Sequence, residues 1–203
     1  MTLAGATLFA WARTRSLRRS NDALLRRTGV LADAAITDPL TGLRNRALIV
    51  EHLGLMQANA DRPARPYLLI ALDVDNPKRI NDRLGHEAGD AVVLAVASAV
   101  HSMLRGTDVG VRTGGDEFLV LLPETRLEDA VIVAERLRAV LRDGQRADTQ
   151  IRVSTGAGVA GWRPGCDGAV VRHAADAMLV AAKSTVRDRV FAVPGEEPPP
   201  VGA

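Results

Sequence analysis

Hydrophobic and polar positions along the chain predict helices and strands in turn. Aliphatic runs such as 67–74 predict buried strands, whereas apolar residues spaced three and four apart predict helices. The predicted helices are 46–57 (capped by Asn45), 77–84, 91–104, 127–142 and 169–185, and the predicted strands are 67–74, 109–122 (a hairpin), 151–159 and 189–193. The run 91–104 is apolar on nearly every face, which predicts a deeply buried helix. This order predicts an α/β (α+β) fold, with a mixed central β-sheet surrounded by helices.

The chain divides into a globular domain and two extensions. Residues 36–193 carry the alternating pattern, and residues 1–35 form an apolar start followed by a basic helical linker. Leu17, Leu24 and Leu31 recur every seven residues, which favours a short parallel coiled coil, with a solvated amphipathic helix as the alternative. Residues 194–203 contain four prolines and are predicted to be disordered.

The first twelve residues lack charge and are followed by a cluster of arginines. A membrane-spanning helix needs about 20 apolar residues, so this run is too short for a normal span. It is the remnant of a longer anchor, a segment lying on the membrane surface, or a frayed start. We favour a soluble or peripheral protein in the cytoplasm, with anchoring at the inner face of the membrane as the alternative. The single cysteine, Cys166, fits a reducing compartment.

Composition narrows the classes of function. Hydrophobic residues make up 47% of the chain and aromatic residues 3%, so the core must be aliphatic. A net charge of +2 gives no reason to expect nucleic acid as a partner. Four dispersed histidines offer no zinc-binding spacing.

A glycine pair in the predicted hairpin adjoins two carboxylates. Gly114 and Gly115 precede Asp116 and Glu117, and β-like residues lie on both sides. Glycines at such a tip allow a large anionic ligand to approach the backbone. Acidic side chains beside the tip can hold a divalent metal, which in turn holds phosphate. The alternative is an ordinary solvated turn.

A second acidic site follows the strand 67–74, where Asp73 and Asp75 flank Val74. Ligands of α/β sheets gather near strand ends, so Asp73 and Asp116 could converge on metal ions that carry a triphosphate. Asn76 is a helix-cap candidate before Pro77, and Lys78 with the free amides of the helix start suits phosphate. For Asp75 the alternative is a structural role, as a cap of the next helix.

These segments together resemble GGDEF-domain diguanylate cyclases, over about residues 38–193. The matching segments are 38–46 (DPLTGLRNR), 73–75 (DVD) with Lys78, 80–86 (INDRLGH), 89–90 (GD) and 112–118 (RTGGDEF). The resemblance implies a nucleotidyl-cyclase-like fold, in which the hairpin carries the signature. It also implies metal-dependent condensation of two GTP into cyclic di-GMP, with release of two pyrophosphates. The implied cofactor is Mg²⁺ or Mn²⁺, and catalysis requires a homodimer because each domain holds one GTP.

The resemblance also implies roles for individual residues. The metal ligands would be Asp73, the Val74 carbonyl and Asp116, with Glu117 near the reacting 3′-hydroxyl and Lys78 as a further catalytic residue. The expected GTP-binding residues are Lys78, Asn81, Asp90, Gly114, Gly115, Lys183 and Arg187. Of these, Asn81 and Asp90 would read guanine, although Asp90 could instead cap a helix from residue 91. Lys183 and Arg187, four residues apart on one helix face, would bind phosphate.

A feedback site is implied by the position of an RxxD motif ahead of the glycine pair. Arg105 and Asp108 form this motif, and Arg136 is a candidate second arm. In the family, dimers of the product bind here and arrest the enzyme. An arginine can both stack on guanine and grip phosphate, which suits such a ligand.

Some positions depart from the family pattern. Asn76 and Pro77 stand where an aromatic pair is usual, and Val180 and Val186 replace a tyrosine and a glycine. These changes remove no expected metal ligand or guanine contact, so an active enzyme is favoured. The alternatives are a weak or silent module that senses GTP or cyclic di-GMP, and a dimerisation domain without a ligand. The intact Asp73, Asp116, Glu117 and Lys78 argue against the silent module. A dimerisation domain without a ligand does not explain so many polar residues at matching spacings.

Overall fold

The computed structural model describes residues 35–60, 65–143, 153–185 and 188–193. The chain divides into two compact units, Met1–Thr37 and Asp38–Ala203. The leucine repeat, the apolar start, the proline-rich tail and Arg187 lie outside the described residues, so the predictions made for them stay predictions. Within the described part of the chain, no helix is both long and apolar enough to cross a membrane.

The described elements of the second unit are five helices and six strands. In chain order they are β1 (Arg44–Asn45), α1 (Ala47–Ala60), β2 (Tyr67–Val74), α2 (Pro77–Leu84), α3 (His86–Met103), β3 (Val109–Arg112), β4 (Glu117–Pro123), α4 (Leu127–Asp143), β5 (Thr155–Gly161), α5 (Gly168–Thr185) and β6 (Val190–Val193). The strands form one sheet in the order β1-β3-β4-β2-β5-β6. Strand β2 pairs antiparallel with β4 and β5, whereas the outer pairs β1–β3 and β5–β6 are parallel. The predicted mixed sheet surrounded by helices is therefore confirmed.

Alternation along β2 divides the core between the two faces of the sheet. Leu68, Ile70 and Leu72 belong to one apolar cluster, which includes residues of α3 and α4. Tyr67 and Leu69 belong to the other, which includes residues of α1 and α5. Successive side chains of a strand lie on opposite faces, so this central strand contributes to both clusters. The core is almost wholly aliphatic, as the composition predicts.

The largest departure from the predicted elements is the start of α3. This helix begins at His86, five residues before the predicted start, directly after Gly85. Gly85 has φ +86°, a left-handed conformation that glycine adopts without strain, and it ends α2 while turning the chain into α3. Asp90 therefore lies inside a helix, and its alternative role as an N-cap is wrong.

Two predicted helix caps have different outcomes. Ala47 N–H donates to Asn45 Oδ1 at 2.9 Å, which confirms the Asn45 cap of α1. Asn76 has φ +53°, and within the described chain its side chain makes no capping hydrogen bond. Asn76 therefore occupies the predicted N-cap position, where its carbonyl accepts from Arg79 N–H at 3.0 Å, but its side chain does not cap the helix. Strand β5 begins at Thr155 and extends to Gly161, two residues beyond its predicted end.

Candidate active site

The two acidic segments meet at one edge of the sheet. Strand β2 ends where β4 begins, and Asp73 pairs in register with Glu117. Val74 N–H donates to the Asp116 carbonyl at 3.3 Å, which ties the strand end to the hairpin tip. The tip itself is closed by Thr113 N–H, which donates to the Glu117 carbonyl at 3.0 Å. The structure thus brings Asp73 and Asp116 together, as their positions at strand ends predict.

The carboxylate of Asp73 is partly buried, and only one of its two oxygens has a partner among the described residues. Its side chain is 17% exposed, and its Oδ2 forms an ion pair with the Lys183 ammonium. Its Oδ1 is buried and has no hydrogen-bond partner among the described residues. Burial raises the pKa of Asp73 to about 6; the nearby Asp116 also raises it, while Lys183 opposes the rise.

This arrangement fits a divalent cation. An orphaned carboxylate oxygen beside a second carboxylate leaves negative charge without a partner, and hard oxygen donors suit Mg²⁺ or Mn²⁺. Among the described residues, no group of three or more His, Cys, Asp or Glu side chains could hold a metal. Two carboxylates and the Val74 carbonyl would then supply part of a coordination shell, in keeping with the preference of Mg²⁺ for a few carboxylates completed by phosphates.

Two cavities adjoin this edge. The larger, about 460 Å³, contains the predicted nucleotide residues Lys78, Asn81, Asp90, Gly115 and Asp116 in its lining. The smaller, about 210 Å³, contains Asp73, Glu117, Arg172, Val180 and Lys183. Neighbouring residues of a strand end lie on opposite faces, which explains why Asp116 and Glu117 line different cavities.

The residues of the larger cavity that are predicted to contact the guanine base include a hydrogen-bond acceptor without a partner among the described residues. Asn81 Oδ1 is buried and has no hydrogen-bond partner among the described residues. Its amide lies against Gly89, where an added Cβ would overlap the amide oxygen. Asp90 is exposed at the rim of this cavity. A free amide oxygen and a free carboxylate suit a ligand edge that presents N–H donors.

An arginine of the signature braces the hairpin tip. Arg112 donates from Nε and Nη2 to the Gly115 carbonyl, at 3.1 and 2.8 Å, and from Nη1 to Asp38 at 3.1 Å. Asp38 also accepts from the Thr41 N–H and hydroxyl. Burial alone would raise the pKa of Asp38, but the bonds from Thr41 and Arg112 lower it below its usual value. The sequence motifs include both Arg112 and Asp38 but did not indicate that the two are in contact. The two residues are 74 positions apart in the chain.

Asp75 has a structural role, though not the predicted one of a helix cap. Its Oδ2 accepts from the Ser154 hydroxyl and from Asp188 N–H, the latter at 3.3 Å. Its own N–H donates to the Ser154 carbonyl at 2.8 Å. Asp75 therefore fixes the end of β2 to the segments before β5 and β6, and the capping alternative is wrong.

Lys183 reaches the acidic edge because α5 packs closely on β5. A Cβ added at Gly158 would overlap the backbone of α5 and would lie 2.9 Å from the carbonyl carbon of Met178. At Gly156 an added Cβ would lie 3.2 Å from Lys183 Cγ. Lys183 Nζ donates to the Val74 carbonyl at 3.3 Å, in addition to its ion pair with Asp73. The sequence predicted a phosphate contact for Lys183. It did not predict that Lys183 contacts the Val74 carbonyl and the Asp73 carboxylate.

Gly158→Ala should lower stability by displacing α5. Overpacking of a tight contact costs about 1–3 kcal/mol, and each kcal/mol corresponds to a fall in Tm of roughly 2–4 °C for a domain of this size. Thermal unfolding followed by circular dichroism measures the change. Gly54→Ala on α1 is the matched control, because an added Cβ there meets nothing within 4 Å. That control should raise stability slightly, since alanine favours a helix. An unchanged Tm for Gly158→Ala would show that α5 can move at no cost.

The RxxD motif lies apart from both cavities. Arg105 N–H donates to Asp108 Oδ2 at 2.9 Å in the turn between α3 and β3, and Arg105 is exposed. Arg136 is exposed on α4. Neither arginine lines the cavities beside Asp73 and Asp116. The inhibitory-site assignment stays a prediction.

Comparison with known proteins places these observations in a family. Residues 35–189 match the model of the family described as "Diguanylate cyclase, GGDEF domain". Diguanylate cyclase DgcP of Pseudomonas aeruginosa is 40% identical over 158 residues, which cover 77% of this chain and 24% of that protein. Response regulator PleD of Caulobacter vibrioides is 40% identical over 106 residues, covering 52% of this chain and 23% of that protein. The chain thus matches about a quarter of the length of these two relatives.

Solved structures show the same fold. The coiled coil and GGDEF domain of DgcB from Caulobacter crescentus, in complex with c-di-GMP, superposes with a TM-score of 0.83 at 28% identity, covering 90% of this chain and 98% of that one. Diguanylate cyclase SiaD of Pseudomonas aeruginosa, in complex with its activator SiaC, gives a TM-score of 0.75 at 36% identity, covering 94% of this chain and 74% of that one. The chain therefore belongs to the GGDEF-domain diguanylate cyclase family.

Proposed function

We propose that this protein is a diguanylate cyclase, which condenses two GTP into cyclic di-GMP and releases two pyrophosphates. The observation that carries the proposal is the meeting of Asp73 and Asp116 beside a cavity of about 460 Å³ that contains Lys78, Asn81 and Asp90. A positive charge that can bind phosphate, hydrogen-bond acceptors that can bind a base and carboxylates that can bind a cation are thus adjacent. A silent structural domain has no need of a buried, half-neutralised carboxylate, which costs stability.

The cation set comprises Asp73, the Val74 carbonyl and Asp116. When bound, Mg²⁺ or Mn²⁺ neutralises phosphate charge and lowers the pKa of the attacking 3′-hydroxyl. Asp73 and Asp116 supply negative charge that favours this cation. Glu117, in the neighbouring cavity, is the residue proposed to lie near the 3′-hydroxyl, where a carboxylate can accept its proton.

The remaining residues orient the nucleotide. Lys78 on α2 and Lys183 on α5 approach the edge from opposite faces of the sheet and are the proposed partners of the triphosphate. Gly115 has no side chain, which allows the ligand to approach the backbone of the tip, while Arg112 holds the Gly115 carbonyl. Asn81 and Asp90 provide acceptors that match the N1–H and N2–H₂ donors of guanine, whereas adenine lacks this donor edge. Arg187 remains a proposed phosphate partner, as the sequence predicts.

The product requires two active sites facing each other, so we place catalysis in a homodimer. DgcB, whose coiled-coil and GGDEF structure matches this chain, is bound to c-di-GMP. The leucine repeat of residues 17–31 is our candidate for bringing two copies together. The substrate, GTP, is cytoplasmic, so we place the domain there, with residues 1–12 as a candidate contact to the inner face of the membrane.

Incubation of the purified protein with GTP and Mg²⁺, followed by mass spectrometry of the products, tests the proposal. We expect cyclic di-GMP and pyrophosphate in a ratio of one to two. Omission of Mg²⁺ with added EDTA should abolish both products. Binding of GTP without turnover would instead indicate a sensor, and the absence of GTP binding would contradict the proposal altogether.

We also propose feedback inhibition through Arg105 and Asp108. Arg105→Ala should weaken inhibition by cyclic di-GMP by about ten-fold or more, because the guanidinium can contact both guanine and phosphate and such contacts are each worth about 1.5–3 kcal/mol. Progress curves at increasing product concentration measure the inhibition constant. Arg126→Ala, which removes an exposed arginine before α4, should leave that constant unchanged. Equal inhibition of wild type and Arg105→Ala would exclude the assignment and leave the catalytic one standing.

A further inference from the structure

Lys183 contacts groups that belong to the proposed cation set. Its Nζ forms the ion pair with Asp73 Oδ2 and donates to the Val74 carbonyl at 3.3 Å. These are two of the three groups in the cation set. Lys183 is 30% exposed, and its stem crosses β5 at Gly156, where no side chain obstructs it. The ammonium thus lies among the groups of the cation set.

We infer that the Lys183 ammonium acts as a built-in competitor of the divalent cation and leaves the cation set only when a nucleotide is present. The inference rests on the proposed function and goes beyond it, because it assigns Lys183 two alternative positions. An ammonium and a divalent cation cannot share the Val74 carbonyl and Asp73 Oδ2 at short range, since like charges repel strongly where water is scarce. Occupation by one therefore weakens binding of the other.

The triphosphate provides the second position of Lys183. A lysine displaced from Asp73 loses that ion pair in the nucleotide-free protein, whereas phosphate oxygens beside the same edge can accept its hydrogen bonds. Metal and nucleotide should then each strengthen binding of the other, and the coupling must be reciprocal. Free divalent cation alone binds weakly, which keeps the acidic edge neutralised until substrate arrives.

Arg172 provides a matched comparison. It lies on the same helix and lines the same cavity as Lys183, and it carries the same charge. Its Nε lies 3.9 Å from Asp176 Oδ2, not on Asp73. Removal of Arg172 therefore tests the general effect of one positive charge, and removal of Lys183 tests direct competition. Lys183→Arg keeps a cation at this position.

The experiment is a Mn²⁺ titration of the purified full chain, with free Mn²⁺ followed by electron paramagnetic resonance. Lys183→Met should bind Mn²⁺ in the absence of nucleotide about ten-fold or more tighter than wild type, within the range of typical coupling between sites. Arg172→Met and Lys183→Arg should stay close to wild type. With a non-hydrolysable GTP analogue, affinity for Mn²⁺ should rise in both proteins because phosphate oxygens complete the coordination shell, and the rise should be larger in wild type than in Lys183→Met. Circular dichroism confirms the fold of each variant.

Two results would overturn the inference. They differ in whether the proposed metal site is also shown to be wrong. If Lys183→Met binds Mn²⁺ no tighter than wild type while both bind it, the competition is wrong and the proposed metal site stands. A cation held by Asp73 Oδ1 and Asp116 alone would give that result. If wild type and variants all fail to bind Mn²⁺, with or without the analogue, the cation set is wrong and the inference falls with it.

Discussion

Asp116→Ala should reduce synthesis of cyclic di-GMP by about 10³-fold or more. Metal coordination contributes several kcal/mol of transition-state stabilisation, and each 1.36 kcal/mol corresponds to about ten-fold in rate. Asp116 is one of the two carboxylates in the cation set, and the other, Asp73, also pairs with the charge of Lys183. Rates of pyrophosphate release at saturating GTP and Mg²⁺ measure the loss.

The fold of this variant should survive. The pKa of Asp73 is about 6, above its ordinary value. Folding therefore disfavours the ionised carboxyl, so the contribution of Asp73 to the stability of the metal-free fold decreases as the pH rises through 6. Asp116 contributes to that rise. Its removal therefore relieves repulsion, and Tm at neutral pH should not fall in EDTA. Asp129→Ala on α4, an exposed site that lines neither cavity, is the control and should keep full activity. Wild-type turnover by Asp116→Ala would refute the assigned mechanism.

Asp90→Ser should remove much of the preference for guanine. The wild type should use GTP and reject ATP by up to about 10⁴–10⁵, because a base without the donor edge leaves the site's acceptors unpaired. Asn81 Oδ1, buried and without a partner among the described residues, increases this penalty. Loss of the Asp90 carboxylate should lower kcat/KM for GTP by roughly 10- to 100-fold, the value of a hydrogen bond to a charged group. A serine hydroxyl serves either purine, so the ratio of GTP to ATP use should fall.

Asp82→Ser is the matched control for this change. Asp82 lines the same cavity as Asp90 and is also exposed, but it does not stand at a guanine-reading position. It should retain the preference for GTP. Competition experiments with both nucleotides, scored by kcat/KM, separate the two variants. Equal use of GTP and ATP by the wild type would contradict the role of Asp90 and leave the metal assignment intact.

The amino-acid sequence by itself determined most elements and the family of this protein. Strand β2 and helix α2 lie where hydrophobic periodicity and the Pro77 helix start predict them, because both signals are local. The cap at Asn45 was predictable for the same reason. The motifs of the hairpin and of the strand end also indicated that Asp73 and Asp116 belong to one site.

The tertiary structure alone decided how the site is held and charged. The Lys183–Asp73 ion pair, the Arg112–Asp38 bridge and the burial of Asp73 Oδ1 join residues distant in the chain. No local pattern encodes such contacts, because they depend on how closely α5 packs on β5 and on the register of β2 with β4. The start of α3 was missed because the apolar pattern begins at residue 91, whereas the helix begins five residues earlier, after a glycine of positive φ at 85, with residues that are mostly polar or small. Periodicity reports which residues are buried, and only packing fixes where a helix begins and which charges meet.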